Sequence, residues 1–338
     1  MIGSHELERE ALLQPWGSFH SLDALVTELE CLGMLSRIDT LLRQKGEIPD
    51  EVEIEDGADQ HTEHGSPWLR SYESELAVIF LQSYWDTMEN ALSKFRSELA
   101  SGNVTRAYLE LDNAIDKMRV ISPDVKKETK AKITEIMEAG YEKGADGKVD
   151  NTYLASTGRL IVQDGLYASL EHYLREFFYR FVAPKVRDEL DVVFDVNDTQ
   201  KEPDTKKVLA LLSSPSYVSA YMVILANVVA QRGFNYGYLT GAQGRGVRVY
   251  RFCAIIDNRT SAICRSLNGT EFFVSDALRL IERASNPQNP TAATTVTPWL
   301  RAETIEPMSV QQLVQAGVMV PPLHANCRSH LEEVVSSI

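Results

Sequence analysis

The spacing of the apolar residues changes near Val247, and that break divides what the chain can fold into. Upstream, apolar side chains recur every three or four residues, the repeat of one face of an α-helix. Over 21–43 the series is Leu22, Leu25, Val26, Leu29, Leu32, Leu35, Ile38 and Leu42, with Ser21 as a candidate N-cap. Over 67–100 it is Leu69, Tyr72, Leu76, Ile79, Phe80, Met88, Leu92, Phe95 and Leu99, with Pro67 suited to a first helical turn. Similar patterns predict helices over 106–120, 124–145, 152–190 and 216–238. Downstream, Val247, Val249, Phe252, Ala254, Ile255 and Ile256 form a run rich in β-branched and aromatic residues, as in a mostly buried strand. A second strand is expected over 270–274 behind the Asn268-Gly269 turn signal, and a last one over 331–335. Short helices are expected over 275–283, capped by Ser275, and over 309–315. The polar, Pro- and Thr-rich segment 285–300 reads as a loop without a core.

The expected fold class is therefore a mainly α N-terminal body with a small C-terminal α+β domain. Its parts are an N-terminal helical segment (1–45), an acidic linker (46–67), a helical body (68–243) and the α+β domain (244–338). The Gly-rich run from Gly241 to Gly246 follows a helix and precedes a strand. That is the reverse of the phosphate-cradling order, so it reads as a hinge and not a nucleotide loop.

Charge and composition exclude several function classes. The net charge is −14, yet from Val247 onward eight arginines face eight acidic residues, so the first 246 residues carry the whole excess. Bulk electrostatics oppose non-specific DNA binding, which depends on neutralising phosphates. No run approaches the roughly 18 consecutive apolar residues of a membrane span. The aromatic stretch from Tyr173 to Phe181 is too short and is interrupted by Arg175, Glu176 and Arg180. The opening residues lack a signal-peptide profile, so a cytoplasmic location is expected. Four cysteines, Cys31, Cys253, Cys264 and Cys327, are too few for a disulfide scaffold in a chain of 338 residues.

Two of those cysteines fall in clusters that carry chemistry. The first is Asp257-Asn258-Arg259-Thr260-Ser261-Ala262-Ile263-Cys264, followed by Leu267-Asn268-Gly269. The second is Pro321-Pro322-Leu323-His324-Ala325-Asn326-Cys327-Arg328. Zinc takes thiolate and imidazole ligands in tetrahedral geometry, often from close-spaced pairs. His324 and Cys327 form such a pair, and Cys264 can supply a third ligand. Asp257, Cys253, His330 and water all stand as fourth candidates. The plainer alternative makes the thiols small buried hydrophobes and gives His324 a backbone partner. A Cys264–Cys327 disulfide is a further alternative. Asp257 suits a strand-end acceptor or a partner of Arg259, Asn268-Gly269 suits a positive-φ turn, and Arg328 suits a fork to a carboxylate, Asp257 among the candidates. An open zinc position, or a thiol with His324 and Asn326, is the catalytic alternative.

In order, these motifs resemble the signature of the phage Mu F-like head-morphogenesis (minor capsid) family. The likeness rests on Asp257, Arg259-Thr260-Ser261, Ile263-Cys264, Leu267 with Gly269, and Pro321-Pro322-x-His324-x-Asn326-Cys327-Arg328. The preceding segment with Arg232, Asn235, Gly237 and the Gly-rich turn resembles the usual lead-in, so the likeness covers about 220–336. Some family members carry Cys-x-x-Cys in the first cluster, where this chain has Ser261. The resemblance implies a minor procapsid component that associates with the portal protein, and with scaffold or major capsid protein. It would act in head assembly or genome delivery, in the host cytoplasm and then in the virion or procapsid interior. Arg259, Thr260, Gly269, Pro322, Asn326 and Arg328 would serve as structural motif residues. The competing class is a metal-dependent hydrolase or nuclease of phage or prophage origin, and the chain is expected not to be an enzyme.

Overall fold

The computed structural model describes residues 67–117, 121–147, 149–177, 179, 216–258, 260–298, 300, 302–324 and 327–334. The helix expected over 21–43, the acidic linker up to residue 66, the end of the 152–190 pattern, Arg259 and Asn326 lie outside these residues.

The body is built from α1 (Pro67–Ala100), α2 (Val104–Lys117), α3 (Pro123–Ala145), α4 (Asn151–Leu154), α5 (Thr157–Phe177) and α6 (Ser216–Gly244). Helix α3 shows why its boundaries fall where they do. Ser122 Oγ accepts the Val125 N–H at 3.2 Å, Pro123 opens the first turn, and Asp124 lies at the positive end of the dipole. The helix stops where Asp146 turns left-handed at φ 51°. The single helix expected over 152–190 divides instead. Asp150 caps α4 by accepting the Tyr153 N–H at 2.7 Å, and α5 begins at Thr157.

Helix α6 is the axis of the molecule. Nearly every residue from Tyr221 to Leu239 is buried, as a helix apolar on all sides must be. It lies against α3, α1, α5 and, in the C-terminal part, α8 (Val274–Ala284). Glycines set its contact with α3. A Cβ on Gly144 would sit 1.9 Å from the Tyr238 carbonyl oxygen, and one on Gly237 would sit 2.0 Å from that of Met137. Gly140 and Gly241 meet the partner backbone in the same way, so the helices touch main chain to main chain. The run at Gly241 is therefore not a hinge. Helix α6 continues through it to Gly244, six residues past the expected end, and Gly241 packs on Tyr141 and Ala145 of α3.

The C-terminal part holds β1 (Val249–Cys253), α7 (Ala262–Leu267), β2 (Glu271–Phe273), α8, α9 (Ala292–Val296), α10 (Ala302–Ile305), α11 (Val310–Gln315) and β3 (His330–Glu333). The strands form an antiparallel sheet in the order β2-β1-β3. Tyr250 and Phe252 of β1 face the core, and Arg251 faces outward with the strand's period of two. The expected class, mainly α with a small α+β part, is what the chain forms.

Ser275 does not cap α8, because the helix starts one residue earlier at Val274 and Phe273 holds the N-cap position without a side-chain bond. The 285–300 segment is not coreless, because α9 lies within it and buries Ala292 and Ala293. Ser309 caps α11, with a reciprocal capping box to Gln312.

The apolar core is continuous from the body into the C-terminal part. Arg245 reinforces the junction: its Nε donates to the Gly144 carbonyl at 2.6 Å, at the negative end of α3, and its Nη2 pairs with Glu333 on β3. Among the described residues, no helix is long and apolar enough to cross a membrane.

Candidate metal centre

Two residues of α6 hold the segment that carries the second motif, and a third holds the segment before it. Asn235 Nδ2 donates to the Pro321 carbonyl at 3.0 Å, and one turn back the Gln231 amide donates to the Cys327 carbonyl. Arg232 Nη2 donates to Thr297 Oγ1 at 2.8 Å. All three are buried on α6, where an unpaired polar group is costly, so these bonds fix the loop against the helix. The Pro321–Pro322 peptide is cis, and both prolines are buried. Gln231 was not among the residues singled out from sequence. Its signal was an amide one helical turn from Asn235 in an otherwise apolar stretch.

The first motif is positioned by α7. Ser261 caps this helix by accepting the Cys264 N–H at 3.3 Å, which turns the Cys264 side chain toward the second segment. Cys264 Sγ lies 3.7 Å from Cys327 Sγ and 3.1 Å from His324 Nε2. The three ligand atoms all fall within 4.8 Å of one another. Ligand atoms on the corners of a tetrahedral zinc site stand roughly 3.3–3.8 Å apart, given Zn–S and Zn–N bonds of about 2.3 and 2.0 Å. The donor set therefore fits a zinc-class ion with little rearrangement. Cys264 and Cys327 are 3 % and 1 % exposed, His324 is partly buried, and both cysteines are free thiols.

The electrostatics suit a ligand pair. Hydrogen bonding to Cys327 and burial push the Cys264 thiol well above its ordinary value. Burial also acts upward on Cys327, but the Cys264 hydrogen bond and the His324 ring outweigh it and draw that thiol well down. The Cys264 hydrogen bond and the imidazole thus both favour the thiolate form of Cys327, the form that binds metal.

Asp257 stands outside this cluster. Its carboxylate takes a two-pronged fork from Arg328, Nη1 to Oδ2 at 2.7 Å and Nη2 to Oδ1 at 2.6 Å. Its backbone N–H donates to Thr260 Oγ1 at 2.7 Å, and Arg265 donates to its carbonyl. Of the partners expected for Asp257, Arg328 forms the fork, and Arg259 lies outside the described residues. The fork ties the same two chain segments as the thiol and imidazole cluster, a second clamp beside the first. Beside that cluster stands Ser261, whose Oγ lies 2.8 Å from His324 Nε2. Gly269 adopts φ 84° in the expected turn and donates its N–H to the Phe252 carbonyl at 2.8 Å, closing the end of β1.

Breaking the fork tests the second clamp. Asp257→Asn is expected to destabilise the chain by about 2 kcal/mol, because it leaves a partly buried guanidinium with a weakened partner. Arg328→Lys is expected to lose about half as much, since an ammonium keeps the charge but not the two-pronged geometry. Urea unfolding followed by circular dichroism reads both. Equal stability of all three proteins counts against the clamp.

Comparisons with protein-family models, with curated proteins and with solved structures return no match to this chain.

Proposed function

We propose that this chain is a minor head protein of a tailed phage, with a zinc-clasped C-terminal domain and a helical body that makes protein contacts during head assembly. The observation that carries the clasp is the convergence of the two motif segments, with Cys264, His324 and Cys327 at tetrahedral spacing and Arg328 forked on Asp257 beside them. The association with the portal, and with scaffold or major capsid protein, rests on the motif likeness over 220–336. So do the host cytoplasm and the procapsid interior as its places of action. The excess of negative charge upstream of Val247 supports protein partners over sustained contact with DNA.

The buried donors suit a closed structural site better than an open catalytic one. The carboxylate of the first motif, Asp257, is already committed to Arg328, which weighs against the hydrolase or nuclease alternative. Co-expression with the portal and major capsid proteins of the same phage tests the reading. Co-purification with the portal, at fewer copies than the major capsid protein, is the expected result. Absence of the chain from assembled procapsids overturns it, and a chelator-sensitive phosphodiester hydrolysis in its place favours the enzyme.

Ser261 gives a finer test of the clasp. Ser261→Cys places a thiol where a hydroxyl now stands 2.8 Å from the imidazole. Zinc affinity is expected to rise about tenfold or more, roughly 1.4 kcal/mol. Competition with a chromophoric chelator measures it. Unchanged affinity means that this position does not face the ion.

A further inference from the structure

The sheet carries a second group of ligand-type side chains on its outer face. Strand β1 pairs antiparallel with β3 so that Cys253 lies opposite His330 and Arg251 opposite Glu332. The alternation that sends Phe252 and Leu331 into the core sends Cys253, His330 and Glu332 to the other side. Their ligand atoms lie within 4.8 Å of one another, and His330 Nε2 is 3.2 Å from Glu332 Oε1. The other ring nitrogen, Nδ1, is buried and has no hydrogen-bond partner among the described residues. A thiol, an imidazole and a carboxylate gathered on one face of a sheet are a ready donor set for a cation. Unlike the first cluster, this one reaches solvent: the His330 and Glu332 side chains are 39 % and 57 % exposed.

We propose that Cys253, His330 and Glu332 form a second, solvent-facing site for a zinc-class divalent cation. Thiolate, imidazole and carboxylate are the donors that zinc accepts, and three of them leave a tetrahedral position for water. Partly exposed side chains can close from within 4.8 Å to the spacing of tetrahedral ligands. Two ligands come from β3 and one from β1, so an ion here fastens the C-terminal strand in its register. The site is separate from the buried cluster, and its ion is expected to exchange faster and to leave the core packing undisturbed when removed.

The test uses the full chain, loaded with Zn2+ and then dialysed, with bound metal measured by elemental analysis. Cobalt substitution supplies a second readout, because a thiolate-to-cobalt absorption band reports Cys253 directly. The wild type is expected to hold two ions. Cys253→Ser and His330→Gln are each expected to hold one, with an unchanged circular dichroism spectrum. Cys264→Ser is expected to keep the outer ion. Glu332→Gln is expected to weaken the outer site about tenfold or more. Equal metal content in wild type, Cys253→Ser and His330→Gln overturns the outer site and leaves the buried clasp standing. A wild type holding one ion that survives Cys264→Ser but is lost in His330→Gln upholds the outer site and sinks the clasp. A chain that binds no metal sinks both.

Discussion

Gly144→Ala is expected to lower the stability of the chain by about 3 kcal/mol, and Gly144→Ala with Gly237→Ala to prevent folding at ordinary growth temperature. A single added methyl ordinarily helps a helix by up to about 1 kcal/mol, since alanine is the best helix former and glycine among the worst. Here the methyl meets main chain. At Gly144 it would stand 1.9 Å from the Tyr238 carbonyl oxygen, which has no rotamer by which to move aside. Helices α3 and α6 would have to separate, and α6 is also the support of α1, α5 and α8. Gly244→Ala is the control: its Cβ meets nothing within 4 Å, so only the propensity gain remains. That variant is expected to be neutral or slightly more stable, by about 0.5 kcal/mol. Thermal melts followed in the far ultraviolet measure all of these. A Gly144→Ala protein as stable as Gly244→Ala means that the two helices do not touch along their backbones.

The glycine contact shows where sequence reasoning reached and where it stopped. Helix existence was legible because burial imposes a period of three to four. The helix over Pro67–Ala100 was read with its observed bounds, and α3 to within one residue at its start. The end of α6 was misread because glycine carries two meanings. It breaks a helix when nothing holds it, and it sits inside one when a neighbouring backbone needs the space. The sequence around Gly241 is compatible with both, and only the apposed Gly140 and Gly144 decide between them. The division at Ala155 and Ser156 is illegible for a similar reason, since the apolar pattern runs through it and the Leu154 carbonyl is taken by the Arg159 guanidinium.

The site was legible as a set of residue types but not as a geometry. Cys264, His324 and Cys327 were chosen because thiol and imidazole at close spacing suit zinc, and the fold brings them together across sixty residues. Asp257 has several chemically reasonable destinations: a ligand, a strand-end acceptor, or a partner of Arg259 or Arg328. Which one forms depends on the strand end that aims it, and that is tertiary information. The Cys253, His330 and Glu332 group was harder still. Its members look unrelated in sequence until the β1–β3 register sets Cys253 opposite His330.

Removal of the zinc proposed for the buried cluster is expected to lower the melting temperature by about 8 °C. An ion that binds only the folded chain stabilises it by about 4 kcal/mol when present at a thousand times its dissociation constant. Each kcal/mol shifts the midpoint of a large domain by roughly 2 °C. The loss is bounded because the C-terminal part shares the apolar core of the body, and because Arg328 and Asp257 join the same two segments without metal. Cys264→Ser and His324→Ala are expected to melt at the temperature of the chelated wild type and to respond no further to chelator. That non-additivity is the informative result, because a thiol that merely packs would lose its contribution on mutation whether or not metal is present. If chelation leaves the wild type unmoved while Cys264→Ser still destabilises it, the cysteine is a packed hydrophobe and the clasp fails. If both act and add, the ion sits elsewhere, with the outer face of the sheet the first place to look.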